Sequence, residues 1–198
     1  MDSVPIICNI KVHFHVRSRK KLIKKLKKIT EGITWYHNYV MLRNRFIYTI
    51  FWNSGFINAT GIKCKSHIKK AVKHFMHLFH FSRKKKRKII IDNITASGNY
   101  NCNINLRQFT SMSFDKHVMS IKWNRCFFPA CFLRVYKHGT LTLFSTGKYN
   151  IIGSRTEESV NVIYKLGKTL IQEWITAYIQ KPQPIMNKDM KAALIVAL

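Results

Sequence analysis

"GKYNIIGS", residues 147–154, holds two glycines six residues apart with an asparagine midway between them. Ninety-two residues earlier the chain reads "GFINATGI", residues 55–62, on the same G-x-x-N-x-x-G spacing. A shift of 92 lays Gly55 on Gly147, Asn58 on Asn150, Gly61 on Gly153 and Lys63 on Arg155. It also lays Ile68, Ala71, Val72 and Phe79 on Val160, Ile163, Tyr164 and Ile171, apolar positions at helical spacing. Each half is therefore expected to end in an amphipathic helix, and the chain reads as one unit written twice.

The flanking sequence supports that reading. Short β-rich runs precede each motif: "RFIYTIFW" in the first half, "CFLRVYKHG" and "TLTLFST" in the second. Gly139 and Thr146-Gly147 punctuate the latter two as hairpin turns. Alternation along "TLTLFST" puts Thr140, Thr142 and Phe144 on one face and Leu141 and Leu143 on the other. Ser154 and Glu157 form an S-x-x-E pattern that predicts the start of the second terminal helix. Earlier in the first half, "RSRKKLIKKLKKI" places Leu22, Leu26 and Ile29 on one helical face, with a weaker counterpart around Leu106, Phe109 and Met112. Each half reads strand, helix, several antiparallel strands, helix. The expected layout is a first repeat at 1–80, a basic linker at 81–88, a second repeat at 89–179 and a tail at 180–198.

Composition narrows the function. The 198 residues are 46% hydrophobic and 13% aromatic, enough to bury a core. Lys and Arg number 35 against 8 Asp and Glu, a formal charge of +27. Such an excess attracts a polyanion, nucleic acid or an anionic membrane, although an AT-rich coding sequence also enriches Lys, Ile and Asn. The start "MDSVPIICNIKVHF" is not expected to be a secretory signal, and "AALIVAL" is too short to span a bilayer. "RKKKRK", residues 83–88, reads as a solvated linker, a nuclear localisation signal or an added phosphate contact. The five cysteines contain no C-x-x-C pair and suit free buried thiols in a reducing compartment.

Catalysis finds little support. The eight acids supply no spaced carboxylate pair for two-metal chemistry, and Glu157 and Glu158 suit a helix N-terminus. There is no glycine-rich phosphate loop and no G-x-S-x-G elbow. His74, His77 and His80 recur every three residues, which spreads them around a helix and does not gather them on one metal. No enzyme activity, metal or cofactor is expected.

The second half, "FFPACFLRVYKHGTLTLFSTGKYNIIGSR", resembles the core of the TATA-box-binding protein family. It supplies Phe128-Pro129, Arg134, Phe144, Gly147-Lys148 and Gly153-Ser154-Arg155 in the family's order. Upstream, "IDNITASGNYNCNINL" puts Asn93 at the family's strand asparagine. The first half keeps Arg43, Gly55, Thr60-Gly61 and Lys63, with Trp35-Tyr36 and Trp52 where phenylalanines are expected. Phe56 replaces a lysine, and Val4-Pro5 is read against the opening Gln-Asn. The resemblance implies an α+β fold: a pseudo-twofold duplicated saddle of one curved antiparallel β-sheet, with helices on its convex face.

The same resemblance implies a role for each residue. Phe128, Phe144, Trp52, Tyr36 and Trp35 are the expected wedges into a DNA minor groove, with the core as the alternative place for an aromatic in a strand. Asn93, Asn58, Asn150, Thr60 and Ile152 are expected at base edges, although turn or ladder asparagines would look alike. Arg43, Lys63, Arg134, Lys148 and Arg155 are expected at phosphates. The implied partner is double-stranded AT-rich DNA, then transcription-initiation factors or a polymerase, in a nucleus. A packaging protein without shape preference, or a module for other nucleic acid, are the competing readings. No membrane partner is expected, and internal pseudo-dimer symmetry suits a monomer. The family's acidic stretch before Phe-Pro is here "WNRCF", residues 123–127, with Arg125 and no acid, which fits a divergent viral or parasite factor with its own partners.

Overall fold

A computed structural model describes residues 4–82, 87–114 and 117–179. The middle of the expected linker, 83–86, and the expected tail, 180–198, lie outside the described residues. The first repeat runs β1 (Ile6–His15), α1 (Arg19–Leu26), β2 (Ile33–Trp35), β3 (Val40–Arg43), β4 (Ile47–Phe51), β5 (Phe56–Ile62) and α2 (Lys65–Leu78). The second runs β6 (Ile90–Asn99), α3 (Leu106–Thr110), β7 (Val118–Lys122), β8 (Ala130–Val135), β9 (Gly139–Phe144), β10 (Lys148–Ser154) and α4 (Glu157–Tyr178).

All ten strands join one antiparallel sheet in the order β2-β3-β4-β5-β1-β6-β10-β9-β8-β7. The order is a palindrome: each strand of one repeat has its counterpart at the mirrored place, and the pseudo-dyad passes between β1 and β6. Strand alternation then divides the residues between two faces. Ile10, Val12 and Phe14 of β1, Ile57 and Ala59 of β5, Leu141 and Leu143 of β9, and Tyr149 and Ile151 of β10 are buried under the helices. Residues between them, such as His13, Asn58, Thr140 and Asn150, belong to the opposite, open face.

The repeated glycines answer to backbone demands. Gly55 and Gly147 close equivalent hairpins at φ +74° and +77°, in the left-handed region that favours glycine. A Cβ at either would run into a backbone carbonyl, that of Val16 or of Cys102. Gly61 and Gly153 share φ values of +80° and +83° near the ends of β5 and β10; a Cβ would meet open space at Gly61 and only an ordinary contact with Gly139 at Gly153.

The terminal helices differ in length and ends. α2 has 14 residues, no side-chain cap and no acid in its first turn. α4 has 22 residues, and its cap is not the expected Ser154. Ser154 still belongs to β10, is buried, and donates its hydroxyl to His138 O at 2.9 Å. Thr156 takes the cap, accepting from Ser159 N–H at 3.0 Å, and Glu157 and Glu158 then occupy the positive first turn. Among the described residues no helix is long and apolar enough to cross a membrane.

Candidate nucleic-acid interface

Cross-strand register defines the open face row by row. In the first repeat Met41, Thr49, Asn58 and His13 stand abreast on β3, β4, β5 and β1. In the second, Phe132, Thr142, Asn150 and Ser97 form the matching row on β8, β9, β10 and β6. One step inward along the strands lie Arg43, Ile47 and Thr60, matched by Arg134, Thr140 and Ile152. Asn58, Asn150, Thr60, Ile152, Arg43 and Arg134 therefore share this face in symmetric pairs. The Asn58 side-chain oxygen is enclosed and finds no hydrogen-bond donor among the described residues.

Nearest the pseudo-dyad, Asn93 Oδ1 accepts from Gly153 N–H at 2.6 Å. Asn9 Oδ1 accepts from Gly61 N–H at 2.8 Å, an identical device in the first repeat. Fixing the oxygen fixes each amide, so the NH2 donor end turns away from the glycine. Asn93 Nδ2 also donates to Thr95 Oγ1 at 3.1 Å. Asn9 thus occupies the position expected at Pro5 of Val4-Pro5; the opening strand sits four residues further along. The signal in the sequence is the Asn-Ile dipeptide, Asn9-Ile10 and Asn93-Ile94, 84 residues apart and so off the shift of 92.

The outer corners of the face are aromatic. In the second repeat Phe128 and Phe144 lie with ring centroids 6.1 Å apart, and Phe132 stacks on Phe128 at 5.2 Å. Phe128 remains 41% exposed. In the first repeat the counterpart of Phe144 is Phe51, since Ile50 and Leu143 are matched in the ladders to Ile57 and Tyr149. Tyr39 lies 5.7 Å from Phe51, and Tyr36 stacks on Tyr39 at 4.5 Å. Tyr36 therefore stays with the open-face cluster.

Trp35 and Trp52 do not. Trp35 stands abreast of Val40, Ile50 and Ile57, the row that packs under the helices. Trp52, one residue past β4, lies 5.7 Å from Trp35 and beside Ser18, Lys20 and Ile23 at the start of α1. A one-residue slip exchanges the faces of a strand, and the wedge expectation for Trp35 and Trp52 passes to Tyr39 and Phe51.

Arg43, Lys63, Arg134, Lys148 and Arg155 are all exposed. Arg43 matches Arg134 and Lys63 matches Arg155, whereas Lys148 faces the apolar Phe56 at its equivalent place. Of the acids among the described residues, Asp92 alone sits in the sheet. None of the five cysteines is in a disulfide, but only Cys131 is buried, where desolvation pushes its thiol up to about 12. The expectation of buried thiols fails for Cys8 and Cys126, which are exposed. Among the described residues no three His, Cys, Asp or Glu side chains gather to hold a metal ion.

Comparison with known proteins gives two matches of weight. Residues 88–173 match the family model described as "Transcription factor TFIID (or TATA-binding protein, TBP)". Among solved structures the chain is similar to Methanococcus jannaschii TBP, with a TM-score of 0.71 and 21% identity over 86% of this chain and 99% of that one. A chain of the heterotetrameric sarcosine oxidase from Corynebacterium sp. U-96 also aligns, at 4% identity and a TM-score of 0.32, a likeness too slight to argue from. No curated protein sequence matches.

Proposed function

We propose, from a second repeat that matches the TATA-binding protein family model and a chain that shares the fold of a TATA-binding protein over 86% of its length, that this protein is a promoter-recognition factor. It binds A·T-rich double-stranded DNA through the open face of its sheet and acts by binding, not catalysis. The observation that carries this reading is the pair of anchored amides, Asn9 and Asn93, either side of the pseudo-dyad. The minor groove of A·T pairs presents only acceptors, adenine N3 and thymine O2, so a donor fixed by its own backbone suits it. Asn58, Asn150, Thr60 and Ile152 surround those amides and line the same base edges.

At the corners, Phe128 with Phe144 and Tyr39 with Phe51 supply wedges. Minor-groove proteins, TATA-binding protein among them, insert apolar side chains between base steps and kink the duplex. An uncovered aromatic surface of this kind otherwise invites aggregation. Arg43, Lys63, Arg134, Lys148 and Arg155 rim the face for phosphates. Transcription-initiation factors or a polymerase, met in a nucleus, are the further partners; the acid-free stretch 123–127 suits partners particular to this protein.

Selection from random duplexes tests the reading. A·T-rich sites should be enriched, and recovery of G·C-rich and A·T-rich duplexes alike would leave only a charge-neutralising binder.

A further inference from the structure

The two central strands carry equivalent bulges, and the residues at them differ. Pairing of β1 with β6 shifts register beside Cys8 and again beside Asp92. Cys8 and Asp92 each precede the anchored asparagine of their repeat, Asn9 and Asn93. Cys8 Sγ lies 2.9 Å from Ser97 Oγ. Across the pseudo-dyad, the matching contact is His13 Nδ1 with Asp92 Oδ1 at 2.6 Å. The protein is thus nearly symmetric at its centre except for one histidine–carboxylate contact, which stands on the first-repeat side.

That position is chemically odd for a face that meets A·T pairs. An ionised carboxylate only accepts hydrogen bonds, and the minor-groove edges of A·T pairs only accept too. His13, whose ring also stacks on Phe56 at 4.6 Å, supplies one donor to Oδ1. Among the described residues no other side chain is within hydrogen-bond reach of the carboxylate, which is 29% exposed. Once DNA displaces the solvent here, Oδ2 requires another donor. The minor groove contains one kind of donor on its base edges, the exocyclic amino group of guanine.

Resting on the proposed binding of DNA by this face, we infer that Asp92 reads a guanine amino group in the minor groove. The preferred site is then A·T-rich with one G·C pair near its centre, on the side of the first repeat. Because Cys8 offers no equivalent acceptor charge, the G·C pair also breaks the near-symmetry of the saddle and fixes which way round it sits.

Base analogues separate the amino group from the rest of the pair. Each central A·T pair of a selected site is replaced in turn by G·C, by inosine·C, which lacks the amino group, and by 2,6-diaminopurine·T, which adds it. At one position G·C and diaminopurine·T should bind about tenfold tighter than A·T and inosine·C, the scale of one hydrogen bond to a charged group. Asp92→Asn should abolish or reverse that preference while melting normally. A wild-type protein that binds A·T-rich DNA but ignores the amino group at every central position would overturn the inference alone. A protein that shows no preference for A·T-rich duplexes would overturn the proposed function, and this inference with it.

Discussion

In the first repeat the outer corner of the open face holds Tyr36, Tyr39, Phe51 and Phe56; in the second the same corner holds Phe128, Phe132, Phe144 and Lys148. Nearer the dyad such differences fade, and Asn9 with Gly61 repeats Asn93 with Gly153 almost atom for atom. The contrast separates two kinds of constraint. At the centre an amide must meet a particular N–H on a left-handed glycine, and few residues can replace either partner. At the corners the requirement is flat apolar area, which tyrosine and phenylalanine supply alike. The basic rim lies between these extremes: arginine matches arginine at 43 and 134, while Phe56 stands opposite Lys148.

The largest expected effect is on folding, where the repeats should behave alike. Gly55→Ala and Gly147→Ala each force a Cβ into a backbone carbonyl on top of a left-handed φ, and should each cost more than about 3 kcal/mol in urea denaturation. Gly61→Ala and Gly153→Ala meet only the conformational strain, about 1–2 kcal/mol. Unequal losses at Gly55 and Gly147 would break the claim that the hairpins are equivalent, and four equal, small losses would remove the carbonyl clash.

Base reading comes next. Asn9→Asp and Asn93→Asp keep the oxygen that accepts from glycine but remove the NH2 donor. Each should weaken A·T-rich binding by about 1–3 kcal/mol and leave non-specific binding largely in place. A loss confined to Asn93 would show that the first repeat does not read bases as the second does.

The smallest effect is on salt dependence, and here the repeats should differ. Arg43→Ala, Arg134→Ala and Lys148→Ala should each flatten the slope of log K against log[salt] by about one unit. Phe56→Ala, at the place equivalent to Lys148, should leave the slope unchanged. Equal slopes for Lys148→Ala and wild type would remove that lysine from the phosphates.

Much of this was legible in the sequence, and the failures share a cause. A single shift of 92 is right from β5 onward, so the glycine motif, Thr60, Asn150 and the terminal helices came out in place. Upstream the offset changes with each element: 84 at Asn9 and Asn93, 91 at Arg43 and Arg134, 93 at Thr49 and Thr142. The second repeat carries extra residues between its first and fourth strands, and no constant shift can follow them. That drift hides Asn9. An uncertainty of one residue separates Trp52 from Phe51, and in a strand it changes the face and not merely the address. Asp92 was invisible for another reason: its neighbour His13 is 79 residues away and reaches it only through the β1–β6 pairing.

Bending of a doubly labelled A·T-rich duplex, read by end-to-end energy transfer, tests most directly whether the open-face aromatics act as wedges. Phe128→Ala with Phe144→Ala, and Tyr39→Ala with Phe51→Ala, should each melt close to wild type and each lose part of the bend while still binding. Trp52→Ala should keep the full bend, since its ring packs on the helix side. A buried phenylalanine lost to alanine costs about 3–5 kcal/mol, so a steep fall in melting temperature would return these rings to the core. A wild-type protein that binds the duplex and leaves it straight would contradict the account outright.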